Sequence, residues 1–320
     1  MKPIRCLICA LLLPAAFLLS GCVGGEDPAP GAAAPSETVF SEHPELSATF
    51  RETTVFYLSD DGFIVPVTKL IPWEEGIAKA ALSCMVSTPA NVSAAREMGL
   101  STVIPEGAEL SISIADGNAK VDISGIAPLP SREAEDAMLR SIVNTLTGFP
   151  TVSTVTVTRD GEGGSLENGA ELPVRQEAYA LNPEEPEAET AAGGAEVTLY
   201  FPNAGGSLAV PVTRRISGRP GLYQLVSALV SGARSGRLRS CFPENTLLLG
   251  ATLENGTVTV NLSEDFRASA QTEGLFSLAY RTVWLTLSRE FDFDSLRFQI
   301  NGVDFNPEEV GSALLPNPAA

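Results

Sequence analysis

The hydrophobic pattern of this chain occurs twice. Apolar runs at 55–58 and 65–68 are separated by a polar turn, and the same order returns at 197–200 and 210–213. Both second runs read Val-Pro-Val-Thr. Short apolar runs bounded by turn residues indicate strands. A repeat of this length indicates one structural unit that is built twice.

A helix pattern follows the strand pair in each copy. Apolar residues recur at spacings of three and four, which is typical of a helix with one buried face. The matched positions are Ile77, Ala80, Ala81, Cys84 and Met85 in the first copy, and Leu222, Leu225, Val226, Leu229 and Val230 in the second. A second helix is predicted from the same spacing around 134–146 and 275–287.

The first copy predicts a complete order of elements. Asp116-Gly117, like Asn255-Gly256 in the second copy, is a hairpin signal. Ser131 is a suitable helix N-cap and Gly148 precedes the stop at Pro150. The predicted elements are strands 53–58 and 63–68, helix 73–86, a long loop, strands 109–114 and 119–123, helix 131–147 and strand 152–158. The fold class is therefore α+β, with two tandem repeats of a small sheet that carries helices on one face.

Composition divides the rest of the chain. Segments rich in Gly, Ala, Pro and acidic residues cannot bury enough apolar surface to fold, so they are interpreted as linkers. The alternative for the second of them is that its short apolar patches at 172–174 and 178–181 dock on a neighbouring surface. The tail contains three prolines and is expected to fray. The predicted organisation is a signal peptide at 1–21, a flexible linker at 22–51, a first domain at 52–160, a linker at 161–195, a second domain at 196–305 and a tail at 306–320.

The N-terminus has the features of a secretion signal. Lys2 and Arg5 precede an apolar run at 6–19, which is shorter than the roughly 20 residues that span a bilayer. Leu19-Ser20-Gly21-Cys22 resembles the bacterial lipobox. That resemblance implies a diacylglycerol on the Cys22 thiol and further acylation, such as palmitate, on the new amine. The alternative is an ordinary signal peptide with a cysteine near its end. The lipid predicts a protein held at the extracytoplasmic face of the cell membrane.

The charge of the chain disfavours one class of partner. The full sequence carries 21 basic and 39 acidic residues. Removing Lys2 and Arg5 with the signal leaves 19 basic residues, and 19 minus 39 gives −20. A chain this acidic repels nucleic acid and anionic membrane surfaces. Simple solubility is the plainer explanation of the charge, and no nucleic-acid partner is expected.

No catalytic constellation is predicted. The only histidine, His43, lies in the first linker, and no Gly-x-Ser-x-Gly motif occurs. Cys84 and Cys241 align with aliphatic residues of the other copy and are interpreted as core residues, although a disulfide between them is formally possible.

Acidic side chains give no shared site either. Asp122 aligns with Asn261 and Glu75 with Pro220, so the candidate acids differ between copies, and an enzyme active in one copy alone stays open. Asp292-Phe293-Asp294 could touch a cation, but loop acids are more often solvated. We predict a non-enzymatic protein without metal or cofactor.

The repeats resemble the GerM-like lipoproteins of spore-forming bacteria, which carry tandem GerMN domains. The motifs are the Val-Pro-Val-Thr strands, Ile-Pro-Glu-Gly at 104–107 with Phe-Pro-Glu-Asn at 242–245, and the segments 145–147 with 155–161 and 286–288 with 296–302. The order helix, two strands, helix, strand is also that of the ring-building motif. Arg289-Glu290-Phe291 departs from the helix stop of the first copy. The resemblance implies a non-enzymatic, lipid-anchored protein of a sporulation or germination envelope assembly with protein partners in the cell envelope.

A solute- or peptidoglycan-binding envelope lipoprotein is the alternative. Such a protein would need a concave pocket lined by aromatic side chains between the domains. The candidates are Trp73, Tyr223 and Trp284. Trp73 at a helix start and Trp284 within a helix are more often core or interface residues.

Overall fold

Each repeat begins with an antiparallel hairpin. The computed structural model describes residues 50–72, 76–185, 194–218, 220–308, 310 and 315–319. Strand β1 (Phe50–Ser59) pairs with β2 (Ile64–Pro72), and β7 (Ala195–Pro202) pairs with β8 (Ala209–Ile216). A short β3 (Leu100–Ser101) adds to the open edge of β1.

The rest of the first repeat is a three-stranded sheet with its helices. Helices α1 (Ile77–Ser83) and α2 (Pro89–Glu97) precede a hairpin of β4 (Glu109–Ala115) and β5 (Asn118–Ser124). Helix α3 (Arg132–Thr147) then carries the chain to β6 (Thr154–Arg159), which pairs parallel to β5. The strand order is β4-β5-β6.

The second repeat follows the same path. Helix α4 (Leu222–Val230) precedes the hairpin of β9 (Leu248–Glu254) and β10 (Thr257–Leu262). A 3₁₀ helix (Glu264–Gln271) and α5 (Leu275–Leu287) lead to β11 (Ser295–Ile300), which is parallel to β10. A two-residue β12 (Val303–Asp304) covers one end of β11, so that the order is β12-β11-β10-β9.

One hydrophobic core runs through both repeats, which belong to a single compact unit, His43–Ala320. The inward positions of the strands and the apolar faces of the helices supply it, as the spacings predict. Phe266 lies at the centre of an aromatic cluster in the second repeat, with ring centroids 5.2 Å from Phe298 and 6.2 Å from Phe276. Because all three side chains are at most 2% exposed, the cluster is a true core.

A helical threonine fastens the hairpin in the same way in both repeats. The Phe56 amide donates to Thr145 Oγ1 at 3.4 Å, and the Tyr200 amide donates to Thr286 Oγ1 at 3.0 Å. Phe56 is paired with Pro66 and Tyr200 with Pro211. The first strands therefore correspond as Phe56 with Tyr200, two residues away from the correspondence that the apolar runs suggest.

Several sequence predictions are confirmed. The chain is α+β and consists of two tandem repeats, each with the predicted succession of hairpin, helix, hairpin, helix and strand. Asp116 and Gly117 have φ of 50° and 72°, and Asn255 and Gly256 have 50° and 73°. Positive φ at both central residues is what a tight two-residue hairpin requires. Ser131 Oγ accepts from the Ala134 amide and caps α3 as expected.

The long loop predicted after the first helix contains α2, so that prediction is wrong. Thr88 accepts from the Asn91 amide and Pro89 occupies the first turn, which are both ordinary helix-start features. The apolar spacing does not indicate this helix, because α2 buries only Ala95 and has almost no apolar face. The predicted helix 73–86 is shorter, at Ile77–Ser83, and residues 73–75 lie outside the described part of the chain.

The segment predicted as the second linker, 161–195, contributes buried residues to the fold, contrary to the prediction that it has no core. Leu166, Ala170, Leu172 and Leu181 are buried, whereas Val174 is 74% exposed. The buried Glu135 carboxylate accepts from the amides of Asn168 at 2.8 Å and Ala170 at 3.1 Å. Composition failed here because this segment folds on a neighbouring surface instead of on itself.

The tail also departs from its prediction. Pro318 forms an isolated bridge to Thr68 of β2, and Asn317 is 3% exposed. The expectation that this tail frays is therefore wrong for residues 315–319.

Candidate functional site

The predicted lipid-attachment residue, Cys22, lies outside the described residues, as does His43. Lipidation of Cys22 therefore stays a prediction. In the part of the chain that the structure covers, no helix has the length and hydropathy needed to cross a membrane.

The two cysteines of the repeats are in surroundings that favour the protonated thiol. Cys241 is buried and Cys84 is half-buried, and both are free. Burial raises the pKa of the Cys241 thiol to about 12. Burial also raises the pKa of the Cys84 thiol, although Lys69 acts in the opposite direction. Because the thiolate is the nucleophile, thiols held protonated at neutral pH are poor candidates for catalysis.

One polar position that differs between the repeats, Asp122 and Asn261, has a structural role. Asp122 Oδ1 accepts from the Gly161 amide at 2.8 Å, and Asn261 Oδ1 accepts from the Gly302 amide at 2.9 Å. Both oxygens hold the turn that follows the last shared strand. The position needs an oxygen and not a charge, which explains why Asp and Asn interchange.

Metal ligation has no candidate in the described ranges. Among those residues, no group of three or more His, Cys, Asp or Glu side chains could hold a metal ion. Asp292 and Asp294 flank Phe293, whose ring packs edge-on against Trp284 at 4.7 Å. That loop is therefore anchored by its aromatic residue, and its acids stay polar surface. Glu75 lies outside the described residues.

Tyr223 and Trp284, the two aromatic candidates that the structure describes, line neither of the two cavities described below. Trp73 lies outside the described residues. Tyr223 is 48% exposed on α4, where its hydroxyl donates to the Leu248 carbonyl at 3.5 Å. Trp284 stacks on Tyr280 at 6.1 Å. Trp284 is thus a packing residue of α5.

The second repeat has an aromatic cavity that sequence reasoning missed. The cavity has a volume of about 480 Å³. Its accessible aromatic lining consists of the half-buried Tyr280 and Phe305, which pack on the core rings of Phe298 and Phe276. Arg297 and Asp304, 3.5 Å from one another, also line it. The signal that could have found it is substitution between copies, because Phe276 aligns with Glu135 and Phe298 with Val157.

The equivalent region of the first repeat is covered by the chain itself. Gln176 and Val155 exchange two backbone hydrogen bonds of 2.8 Å, and the Val157 amide donates to the Pro173 carbonyl. The Glu135 carboxylate holds the same segment from the helix side. The open aromatic cavity is therefore a feature of the second repeat.

A second cavity, of about 390 Å³, lies where the two repeats meet. The Arg237 guanidinium lies 4.9 Å from the centre of the Phe63 ring and donates to the Asp61 carbonyl. Arg237 thus joins a loop of the second repeat to the hairpin turn of the first. The side chains of Glu184 and Arg234, which also line this cavity, are within 4.0 Å of each other.

Together these features define a class of protein. The chain is a tandem α+β repeat protein in which the two copies share a core and a fastening scheme. The described residues bring no nucleophile, base and metal ligand together.

Comparisons with known proteins name the family. The family model described as "Germane: Sporulation and spore germination" matches residues 54–164 and 198–305. The chain belongs to this family. The spore germination protein GerM of Bacillus subtilis (strain 168) is 25% identical over 280 residues, which are 84% of this chain and 76% of that relative.

A solved structure supports the same fold. The tandem GerMN domains of the sporulation protein GerM from Bacillus subtilis match with a TM-score of 0.62 and 21% identity, covering 85% of this chain and 100% of that one. The resemblance to GerM-like proteins with tandem GerMN domains is confirmed.

Proposed function

We propose that this protein is a non-enzymatic, lipid-anchored component of a sporulation or germination assembly in the cell envelope. The observation that carries the proposal is the pair of family domains, which retain their core and their fastening threonines, while their described residues bring no group of metal-ligating side chains together. Such a body offers rigid surfaces to protein partners. The anchor is the diacylglycerol expected on Cys22, at the extracytoplasmic face of the membrane.

Anchoring is tested by changing the proposed lipid residue. Expressed in Bacillus subtilis cells, the protein is expected to enter the membrane fraction and to incorporate a clickable palmitate analogue. Cys22→Ala is expected to lose both, since two or three acyl chains on one residue provide stable anchoring and this variant has none.

Cys84→Ala is the matched control, because it removes a half-buried cysteine of the folded part. It is expected to keep both the label and the membrane location. Continued labelling and membrane retention of Cys22→Ala would refute the lipid anchor. Protection of the chain from protease added to intact, wall-stripped cells would refute the extracytoplasmic location.

The second candidate is a solute- or peptidoglycan-binding lipoprotein, which the aromatic cavity beside Phe276 and Phe305 favours. A ligand that binds only the native state raises the melting temperature. A rise with muropeptides that Phe305→Ala abolishes would support this candidate over a pure interaction module.

A further inference from the structure

The two repeats meet through the second strands of their hairpins, β2 and β8. Pro66 is the third residue of β2, and Pro211 is the third residue of β8. Proline has no amide hydrogen to give to a neighbouring strand. β2 and β8 belong to separate sheets. The carbonyl groups on these edges therefore need donors from elsewhere.

Asn182, which follows the first repeat, supplies one set of partners. Its Oδ1 accepts from the Ile64 amide at 2.8 Å. Its Nδ2 donates to the Ile64 carbonyl at 2.8 Å and, across the junction, to the Pro211 carbonyl at 2.7 Å. One side-chain amide thus satisfies three backbone groups on two strands that belong to different repeats.

Asn317, which follows the second repeat, makes the mirror set. Its Oδ1 accepts from the Ala209 amide at 2.8 Å. Its Nδ2 donates to the Ala209 carbonyl at 2.9 Å and, across the junction, to the Pro66 carbonyl at 2.8 Å. Ala209 is the counterpart of Ile64, each lying two residues before the strand proline. The two asparagines are therefore related by a pseudo-two-fold axis.

The backbone beside each asparagine also forms hydrogen bonds to the hairpin of the other repeat. The Thr213 amide donates to the Leu181 carbonyl at 2.7 Å, and the Glu184 amide donates to the Thr213 carbonyl at 2.9 Å. Beside Asn317, the Thr68 amide donates to the Pro316 carbonyl at 3.0 Å, and the Ala319 amide donates to the Thr68 carbonyl at 2.9 Å. We call the segments 181–184 and 316–319 the two arms. Each arm runs along the hairpin of the other repeat.

Two properties of asparagine suit it to both positions. An Asn side chain offers one acceptor and two donors, which is the set that each site uses. Both asparagines also have φ of 44°, a left-handed conformation that Asn tolerates better than most residues. Arg281 Nη2 donates to Asn317 Oδ1 at 3.1 Å and helps to orient that amide.

We propose that Asn182 and Asn317 are paired positioning residues that fix the orientation of the two repeats and couple their unfolding. We call them the asparagine clasp. Each arm links its own repeat to the other, so opening one arm releases contacts on both hairpins. The described tail, 315–319, is then a structural strap of the whole protein rather than a loose end.

The test compares Asn317→Asp with wild type in the full chain, purified in detergent. Asp keeps the shape and an acceptor but loses both Nδ2 donations. We expect wild type to unfold in a single calorimetric transition and Asn317→Asp to unfold in two. We also expect amide exchange to become at least tenfold faster at Thr68 of β2, which bonds to the arm of Asn317, and at Thr213 of β8, which bonds to the arm of Asn182. Asn306→Asp makes the same chemical change at an exposed position of the tail and is expected to behave as wild type.

Two outcomes would overturn the proposal. One is unchanged exchange at both threonines with a single transition. The other is faster exchange at Thr68 alone with a single transition, which would make Asn317 a local tail contact without coupling. If Asn317→Asp fails to fold, amide exchange of the wild-type protein tests the proposal instead. The clasp requires the Thr68 and Thr213 amides to be protected as strongly as the core strand amides of both repeats, and weaker protection contradicts it.

Discussion

Leu225→Asp is expected to unfold the second repeat. Leu225 is fully buried on the inner face of α4. Removing a buried leucine side chain costs about 2–5 kcal/mol. An isolated carboxylate without a partner in an apolar site adds several kcal/mol more. Since the whole stability of a domain is about 5–15 kcal/mol, the sum is comparable with all of it.

The measurement is far-UV circular dichroism together with amide exchange of α4 and α5. Tyr223→Asp, in the same helix but half-exposed, is the matched control and is expected to lose less than about 1 kcal/mol, as surface changes do. If Leu225→Asp retained wild-type exchange protection in α5, the second repeat would not depend on this core.

Glu184→Ala is expected to cost about 3–5 kcal/mol, the usual effect of leaving one member of a buried ion pair alone. The side chains of Arg214 and Glu184 are 4% and 6% exposed, and Arg214 Nη2 donates to the carboxylate at 3.2 Å. Arg214 also donates to the carbonyls of Ala228 at 2.9 Å and Gly232 at 2.8 Å. Without the carboxylate, the guanidinium stays buried with only neutral partners.

Denaturant unfolding measures this change, and Glu185→Ala is its matched control. Glu185 is the next residue and is exposed, so its replacement is expected to leave the midpoint within experimental error. Equal midpoints for the two variants would show that the Arg214–Glu184 pair does not stabilise the segment that follows the first repeat.

The elements that the sequence predicted correctly carry their own signals. The hairpins have Asp-Gly and Asn-Gly turns, and α3 has a capping serine and a long apolar face. Elements with a weak apolar face, such as α2, give little periodicity to detect. The register of the first strands was misread because apolar runs align with each other more easily than the prolines and threonines that set the pairing.

The arms could not be predicted from local composition. Residues around Asn182 and Asn317 lie in segments rich in proline, where folding depends on a surface made elsewhere in the chain. The dipeptide Asn-Pro occurs at 182–183 and 317–318, but it also occurs at 306–307 and so does not single out these two sites. It is two residues long, and only the structure gives it a role. The aromatic cavity was not predicted because only tryptophan and tyrosine were considered as pocket residues, whereas three of its six apolar lining residues are phenylalanines.

The most direct test of the proposed function is chemical cross-linking of the protein in membranes of growing and sporulating cells, followed by identification of the captured proteins. Cys22→Ala serves as the unanchored control. The account predicts capture of sporulation envelope proteins in sporulating cells and a marked reduction of that capture in the control. Capture of lipoprotein-processing enzymes alone, in both growth conditions, would contradict an envelope assembly role.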